Sequence, residues 1–311
     1  MLDGGSHVPT DPVRVAILGT GNIGVDLCER LLRDPDFDVV ALVGRRAESP
    51  GLRRFENRIP LLLSGGIEEL LPLAHKVEGI FDATSAFDHR RHWEILRERG
   101  LWMIDLTPSR VGNAMVPALS GRIAGMRMGD QTQPANFSMV TCGGQSSAGI
   151  AFAISRCAEG ITEIEVSSSI AALSAGPATR ANIDQYIETT ESVITQVTEC
   201  PVTKAILVLN PADPPVMMRT TVTVKAENFD LPKTTQNCEE IASAIRKWVP
   251  GYVITVPPHE VSPGVLSVTA KVTGSGHYLP SYAGNLDIIN AAAVETARVH
   301  GQATRNTRIR D

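Results

Sequence analysis

Hydrophobic runs in the first half of the chain alternate with segments of helical pattern. Strands are predicted at residues 13–18, 38–43, 79–84 and 101–106, and helices at residues 22–33 and 88–99. This strand–helix–strand spacing is typical of a parallel sheet with helices on both faces. Residues 46–60 are charged and lack a clear period, so we predict irregular structure there.

The pattern changes after residue 138. A short apolar run at residues 138–141 leads into Cys142-Gly143-Gly144 and a predicted helix of small residues at 145–158. Further strands are predicted at residues 161–170, 204–209, 216–225, 252–256 and 265–272, and helices at 182–198, 235–248 and 286–299. Several of these strands alternate apolar residues with polar ones, which predicts an antiparallel sheet with one covered face.

A glycine-rich turn joins the first strand to the first helix. Its six residues have the pattern G-x-G-x-x-G and are Gly19, Thr20, Gly21, Asn22, Ile23 and Gly24. In this strand–turn–helix context the pattern favours a dinucleotide site, with Gly21 admitting the pyrophosphate to the backbone and Gly24 allowing close helix packing. The alternative interpretation is an ordinary glycine-rich turn.

These patterns together predict an α/β fold. It is a Rossmann-type doubly wound parallel sheet with an inserted α+β domain that carries a mixed or antiparallel sheet. Residues 1–12 are expected to form a flexible arm. Residues 13–141 with 284–311 are assigned to the dinucleotide-binding domain, and residues 142–283 to a catalytic and dimerisation domain.

The composition excludes several classes of protein. The 311 residues are 43% hydrophobic and 20% charged, which is near the globular norm and argues against a disordered or fibrous chain. No stretch has the roughly 18 apolar residues that a membrane span needs, and no charged-then-apolar leader opens the chain. A net charge of -5 argues against a nucleic-acid binder.

Cysteine usage predicts the compartment. The five cysteines are an odd number, widely spaced and without a C-x-x-C pair: Cys28, Cys142, Cys157, Cys200 and Cys238. This argues against a disulfide framework and against a zinc site, so we expect no metal and a reducing, cytoplasmic location.

Two arginines stand where a dinucleotide fold usually has an acid. The second strand ends in Gly44-Arg45-Arg46, whereas an acidic residue at that place would bind the ribose hydroxyls of NAD. Guanidinium groups pair with phosphate, so Arg45 and Arg46 favour NADP. The alternative is that both are solvated surface charges.

Cys142 is the candidate nucleophile. It lies between an apolar strand and a helix and is followed by two glycines, where the helix dipole and free amides favour a thiolate. The same amides could hold the oxyanion of a thiohemiacetal, which suggests aldehyde oxidation through a thioester, or its reverse. The alternative is a small buried core residue.

Several long motifs resemble one enzyme family. They are Cys142-Gly143-Gly144-Gln145, the run from Ser174 through Ala175, Gly176, Pro177, Ala178, Thr179, Arg180 and Ala181 to Asn182, Asn210-Pro211-Ala212-Asp213, and His277-Tyr278-Leu279-Pro280 through Asn285. The chain resembles the acylating acetaldehyde dehydrogenases of aromatic meta-cleavage pathways from about residue 13 to 297. The resemblance implies NAD(H), coenzyme A, a short aldehyde and a partner aldolase.

The resemblance also implies residue roles. Cys142 becomes the acyl-thioester nucleophile, and the cofactor contacts are residues 20–23, 174–182 and Asn285. Residues 174–182 are a polar loop before a helix, as anion-binding loops often are, although a mere connection is the alternative. Asn285 is expected to bind the nicotinamide carboxamide or to cap the last helix.

The chain departs from the family where the thiol is activated. The family has an Asp that is held to activate the thiol, and this chain has Thr220 there. His277 or a water is the candidate replacement, with Asp213 as another nearby acid; a structural loop histidine is the alternative role for His277. Residues 146–149 are also smaller than in the family, and Arg45 and Arg46 replace its acid.

Three functions remain open at this stage. The leading one is an NAD(P)-dependent CoA-acylating aldehyde dehydrogenase, or an acyl-thioester reductase in reverse, acting as a homodimer or higher oligomer. The second is a non-acylating semialdehyde dehydrogenase that uses water or phosphate. The third is a weakened nucleotide-binding scaffold or redox sensor.

Overall fold

The computed structural model describes residues 11–128, 135–176, 179–180 and 182–308, with side chains up to residue 304. The predicted contacts Pro177, Ala178 and Ala181 and most of the predicted arm lie outside the described residues. The strands are β1 Val13–Leu18, β2 Phe37–Val43, β3 Leu61–Leu63, β4 Gly79–Asp82, β5 Trp102–Asp105, β6 Asn113–Ala114, β7 Asn136–Ser138, β8 Ala158–Glu159, β9 Glu163–Ala171, β10 Thr203–Asn210, β11 Met218–Lys225, β12 Asn228–Phe229, β13 Tyr252–Ser262 and β14 Val265–Val272. The helices are α1 Asn22–Leu31, α2 Pro50–Arg53, α3 Ile67–Leu70, α4 Ala86–Leu96, α5 Cys142–Ser155, α6 Ile183–Thr198, α7 Leu231–Arg246 and α8 Gly284–Arg308.

The first sheet has seven strands in the order β3-β2-β1-β4-β5-β7-β6, and every pairing is parallel. Its central strands are buried on both faces, as the apolar runs predict. From β1 the chain builds outward in one direction to β2 and β3, and then in the other to β4 and β5. The switch between β1 and β4 opens a crevice at the carboxyl ends of the strands, where dinucleotide folds bind their ligand.

Three short elements between residues 46 and 70 were not predicted. The stretch expected to be irregular contains α2, and β3 and α3 follow it. Each has three or four residues, which is too short to show a hydrophobic period. Helix α2 begins with Pro50 at its first position, where the ring's fixed φ favours a helical turn.

The second sheet has five strands in the order β10-β9-β11-β14-β13. It is mixed, because β9 and β10 are parallel and the other pairs antiparallel. In β9 the buried residues alternate with half-buried ones, so one face lies against the helices α5, α6 and α7. Strand β13 continues past its predicted end at residue 256, since an edge strand tolerates Pro257 and Pro258.

The last helix returns to the first sheet. The Asn290 amide donates to Asp26 of α1 at 2.8 Å, and Arg298 pairs with Asp34 and Asp36 beside β2. These contacts join the last helix to elements of residues 13–141, and the division of the chain into two domains stays a prediction. In the described part of the chain, no helix is long and apolar enough to cross a membrane.

Candidate active site and nucleotide pocket

The glycine turn has the geometry of a phosphate site. Gly19 has a φ of 109°, and a Cβ there would lie 2.5 Å from the Ala83 carbonyl oxygen. A Cβ on Gly24 would overlap the carbonyl of Gly19, so both positions require glycine. A Cβ on Gly21 would meet no described atom within 4 Å. Gly21 therefore faces open space, as a pyrophosphate cradle requires.

A cavity of about 600 Å³ opens beside this turn. Gly19, Thr20 and Gly21 line it together with the end of β2, the segment from Gly65 to Glu68, and Ala83 with Thr84. A hydrogen bond holds the turn in place, because the Ser49 hydroxyl donates to Thr20 Oγ1 at 2.8 Å. The cavity has the size and wall of a nucleotide site.

The rim of this cavity is charged. Arg45 and Arg46 lie on it with Arg91, and the acids Glu68 and Asp88 face them. Arg45 Nη1 is 3.5 Å from Asp88 Oδ2, but 79% of the Arg45 side chain is exposed, so the pair holds the guanidinium only weakly. Arg91 pairs with Glu68 in the same way. Arg45 is thus held weakly enough to meet a phosphate at the rim, and the described residues give Arg46 no ion pair there.

The described polar side chains of the predicted loop 174–182 bond the loop's own backbone, whereas Asn285 is buried without such a bond. The Ser174 hydroxyl donates to the Ala171 carbonyl at 2.8 Å, and the Arg180 guanidinium donates to the carbonyls of Ala172 and Ala175. Asn285 lies in the first turn of α8 and is 2% exposed, and its Oδ1 has no hydrogen-bond partner among the described residues. A buried amide oxygen without a partner fits an acceptor for a carboxamide N–H.

Cys142 is the first residue of α5, three residues before the predicted start of that helix. Thr141 caps the helix, since its hydroxyl accepts from the Gly144 amide at 2.8 Å and bonds Thr190 Oγ1 of α6 at 2.7 Å. Gln145 fixes the same turn to the first sheet by donating to the carbonyls of Met115 and Met139. The helix start is therefore tied to both halves of the molecule.

The surroundings of the thiol are neutral. Burial raises the pKa of Cys142 to about 11, although a hydrogen bond with Tyr186 and the amides of Gly143 and Cys142 act in the opposite direction. The expected thiolate character of a helix start is thus outweighed by desolvation, and the thiol is protonated at neutral pH. Tyr186 Oη lies 3.8 Å from Sγ.

Thr220 faces the same site from β11. It is 2% exposed and bonds Ser146 Oγ at 2.7 Å and Ser168 Oγ at 3.2 Å. Ser146 lies four residues after Cys142, so the two share one face of α5. The position of the missing acid is therefore one helical turn below the thiol, and hydroxyl groups fill it.

His277 lies on the surface, in the loop between β14 and α8. No hydrogen bond joins its ring to Cys142 among the described residues, and Asp213 is also exposed. The acid–base role of His277 stays a prediction.

Sequence reasoning missed two groups of residues. One is Tyr186, which looks like an ordinary core aromatic of an amphipathic helix. The other is a buried cluster that reaches the wall of the cavity through His92, where Nδ1 of His89 and of His92 lie 3.0 and 2.8 Å from Asp82 Oδ2. Burial alone would raise the pKa of Asp82, but these hydrogen bonds outweigh it and hold the pKa below its usual range. No sequence pattern joins these residues, because Asp82 ends β4 and the two histidines lie on α4.

Comparison with known proteins gives consistent results. Residues 142–280 match the family model described as "Prokaryotic acetaldehyde dehydrogenase, dimerisation". An acetaldehyde dehydrogenase of Spirochaeta aurantia is 44% identical over 94% of this chain and 96% of its own length. One from Pectobacterium atrosepticum is 43% identical over 91% of this chain and 93% of its own.

Two solved structures share the fold. Aspartate semialdehyde dehydrogenase II from Vibrio cholerae aligns over 96% of this chain and 99% of its own with a TM-score of 0.61 at 14% identity. An aspartate semialdehyde dehydrogenase with NADP from Candida albicans covers 93% of this chain and 99% of its own, with a TM-score of 0.60 at 11% identity. At these identities the likeness concerns the fold alone, and it confirms the two-part α/β architecture.

Proposed function

Because the chain belongs to the acetaldehyde dehydrogenase family, we propose that it is a CoA-acylating aldehyde dehydrogenase that uses NAD or NADP. The family follows from relatives 44% and 43% identical over nearly the whole chain, and it makes the chain an aldehyde dehydrogenase. A short aldehyde such as acetaldehyde, or the corresponding acyl-CoA in the reverse direction, is the proposed substrate.

The observation that carries the proposal is the position of Cys142. The thiol is only half-buried and stands at the first turn of a helix tied to the sheet that carries the nucleotide pocket. Once deprotonated, Sγ attacks the aldehyde carbon and forms a thiohemiacetal. The Gly144 amide is occupied by Thr141, so the amides of Cys142 and Gly143 are the candidates to hold the oxyanion.

The described residues fit a nicotinamide dinucleotide. Gly19 to Gly24 would hold the pyrophosphate and Asn285 would orient the carboxamide, with Ser174, Thr179, Arg180 and Asn182 as the further contacts that the family resemblance implies. When bound, the nicotinamide ring accepts the hydride from the thiohemiacetal carbon, or supplies it in the reverse direction. Cys142 then carries the acyl group as a thioester, and the CoA thiol takes that group as the Cys142 thiolate leaves.

NADP is the proposed preference because the rim of the pocket offers Arg45 and Arg46. Asp88 holds Arg45 only through an exposed pair at 3.5 Å, and Glu68 pairs with Arg91, so a 2′-phosphate could compete for both rim arginines. A charged hydrogen bond contributes about 1.5–3 kcal/mol, which is enough to separate the two cofactors by a factor of ten or more.

The test is acyl transfer in the absence of nucleotide. Purified protein is incubated with a panel of acyl-CoA thioesters, and peptide mass spectrometry locates the acyl group. We expect the acyl group on Cys142 and release of free CoA. A matched Cys157→Ala variant keeps the reaction, since Cys157 contacts Asn237 far from the helix start. In a second assay that contains NAD or NADP as the oxidant, aldehyde oxidation that proceeds equally well without CoA would favour the non-acylating alternative.

A homo-oligomer is part of the proposal. The family model that matches residues 142–280 is named for dimerisation, and the second sheet has one face that no helix of the described chain covers. On that face Ile206 and Val208 of β10 are 43% and 44% exposed, beside Ser167 and Ser169 of β9. A Val208→Glu variant should shift the protein to monomer in sedimentation, and an unchanged dimer would place the interface elsewhere.

The proposed location is the cytoplasm, because all five cysteines are free. The aldolase partner rests on the family resemblance, and co-purification with a tagged chain tests it.

A further inference from the structure

A chain of buried hydroxyl groups leads away from the Cys142 thiol. We call it the hydroxyl chain, and its members in order are Tyr186, Ser168, Thr220 and Ser146. Tyr186 Oη contacts Sγ at 3.8 Å and is hydrogen-bonded to Ser168. The remaining links are Ser168 to Thr220 at 3.2 Å and Thr220 to Ser146 at 2.7 Å. All four residues are at most 8% exposed.

Tyr186 is held at this place by several elements. The Thr190 hydroxyl donates to the Tyr186 carbonyl at 2.8 Å and also bonds the Thr141 cap of α5. A Cβ on Gly143 would overlap the Tyr186 hydroxyl and lie 3.0 Å from Ser168 Oγ. Glycine at 143 therefore makes room for the phenol beside the thiol.

We propose that Tyr186 is a catalytic residue that donates a hydrogen bond to the Cys142 thiolate, and that the hydroxyl chain reverses its hydrogen bonds to permit this. The inference deepens the proposed function and rests on it for the role of the thiolate. Here Tyr186 stabilises the charge and keeps its own proton, while the thiol proton leaves to water at the half-buried face of Cys142.

The donor count supports the reversal. Each hydroxyl has one proton to give and can accept others. With the thiol protonated, donation runs from S–H to Tyr186 and on to Ser146, which donates to the Gly143 carbonyl at 3.1 Å. When the thiol has ionised, every O–H of the hydroxyl chain donates toward the sulfur. The Ser146 hydroxyl then donates to Thr220 instead of to the Gly143 carbonyl.

The reversal leaves no buried group unpaired. When Ser146 turns away, the Gly143 carbonyl keeps its second donor, the Ser147 hydroxyl at 2.6 Å. A carboxylate at position 220 could not take part, because it only accepts and would hold the Ser146 and Ser168 protons toward itself. The hydroxyl of Thr220 thus allows the hydrogen bonds of the hydroxyl chain to run in either direction.

Tyr186 is suited to donate. Burial raises the pKa of Tyr186 well above its ordinary value, with the nearby Cys142 acting in the same direction, so the phenol stays protonated when the thiol ionises. Of the described side chains, Tyr186 is the one that acts on the pKa of Cys142, and no described charged group contributes to it.

The test measures thiol alkylation by iodoacetamide against pH, without aldehyde, CoA or nucleotide. Peptide mapping restricts the signal to Cys142. We expect Tyr186→Phe to alkylate about tenfold more slowly at neutral pH, because one lost hydrogen bond to a charge moves the pKa upward by about one unit. The matched control is Tyr252→Phe, which removes a buried phenol that donates to the Ser146 carbonyl at 2.7 Å and leaves the thiol untouched.

The outcomes are decisive. A Tyr186→Phe profile equal to that of the parent overturns the proposal. If Tyr186→Phe does not fold, Thr220→Val removes the third member of the hydroxyl chain and should shift the profile in the same direction by a smaller factor. An unshifted profile of Thr220→Val then overturns the proposal. Since no substrate is used, a failure of the acylation assay would contradict the proposed function and leave this result standing.

Discussion

At the nucleotide pocket the polar side chains are charged and reach into solvent, whereas around Cys142 they are neutral hydroxyls buried in the protein. The pocket is shaped by backbone and glycine sterics, as the clashes at Gly19 and Gly24 illustrate. The thiol site is shaped by side chains from α5, α6, β9 and β11. The pocket is suited to attract a charged ligand to a wet rim, and the thiol site is suited to control a proton by matching buried donors to acceptors.

The largest expected effect concerns the thiol site and leaves the nucleotide pocket unchanged. Cys142→Ala removes the nucleophile and should abolish acyl-enzyme formation, while binding of the nucleotide, measured by fluorescence titration, is retained. Acyl labelling of Cys200 or Cys157 with activity preserved in this variant would contradict the assignment of the nucleophile.

The next largest effect concerns the glycine turn of the nucleotide pocket. Gly19→Ala places a side chain at a φ of 109° against the Ala83 carbonyl. We expect the free energy of unfolding to fall by about 1–3 kcal/mol and nucleotide binding to be lost. Gly21→Ala is the matched variant, since its Cβ has room in the protein. It should unfold as the parent does in urea and yet bind nucleotide more weakly.

Replacing both arginines of the rim tests how far charge sets the cofactor preference of the pocket. Arg45→Ala with Arg46→Ala should weaken NADP binding by roughly tenfold or more and change NAD binding little. The difference should shrink at high salt, because the rim is exposed. Equal affinities of the parent protein for NADP and NAD would show that the arginines are only solvated charges.

The smallest expected effect comes from Thr220→Asp, measured by alkylation of Cys142 against pH. In the parent the rate should rise with pH through the neutral range, because the pKa of the thiol is raised to about 11 and the thiolate fraction grows with pH. A carboxylate at position 220 would lie behind Ser146 and Ser168, so it should repel the thiolate and slow alkylation a few-fold. Faster alkylation would instead identify that carboxylate as a working base.

The same contrast explains what could be predicted from the sequence. The first sheet and its turn follow from local patterns, since Val13–Leu18, the glycines and α1 are contiguous in the chain. The position of Cys142 at a helix start also followed, although the helix begins three residues earlier than its apolar pattern indicates because Thr141 caps it.

The hydroxyl chain could not be found in this way. Ser168 and Thr220 are adjacent only through the antiparallel register of β9 and β11, and Tyr186 reaches them from a separate helix. Each of these residues is unremarkable in its own segment. The one signal was Thr220 in place of the family's acid, and it did not name the residues that surround it.

The return of α8 to the first sheet has a consequence for synthesis of the chain. Strands β9 to β14 are all available once residue 272 has emerged, whereas the first sheet receives α8 only after residues 284–308 have followed. Nascent units that have all their segments can fold before those that do not. The sheet that carries Ser168 and Thr220 can therefore pack against the Cys142 helix before α8 reaches the first sheet.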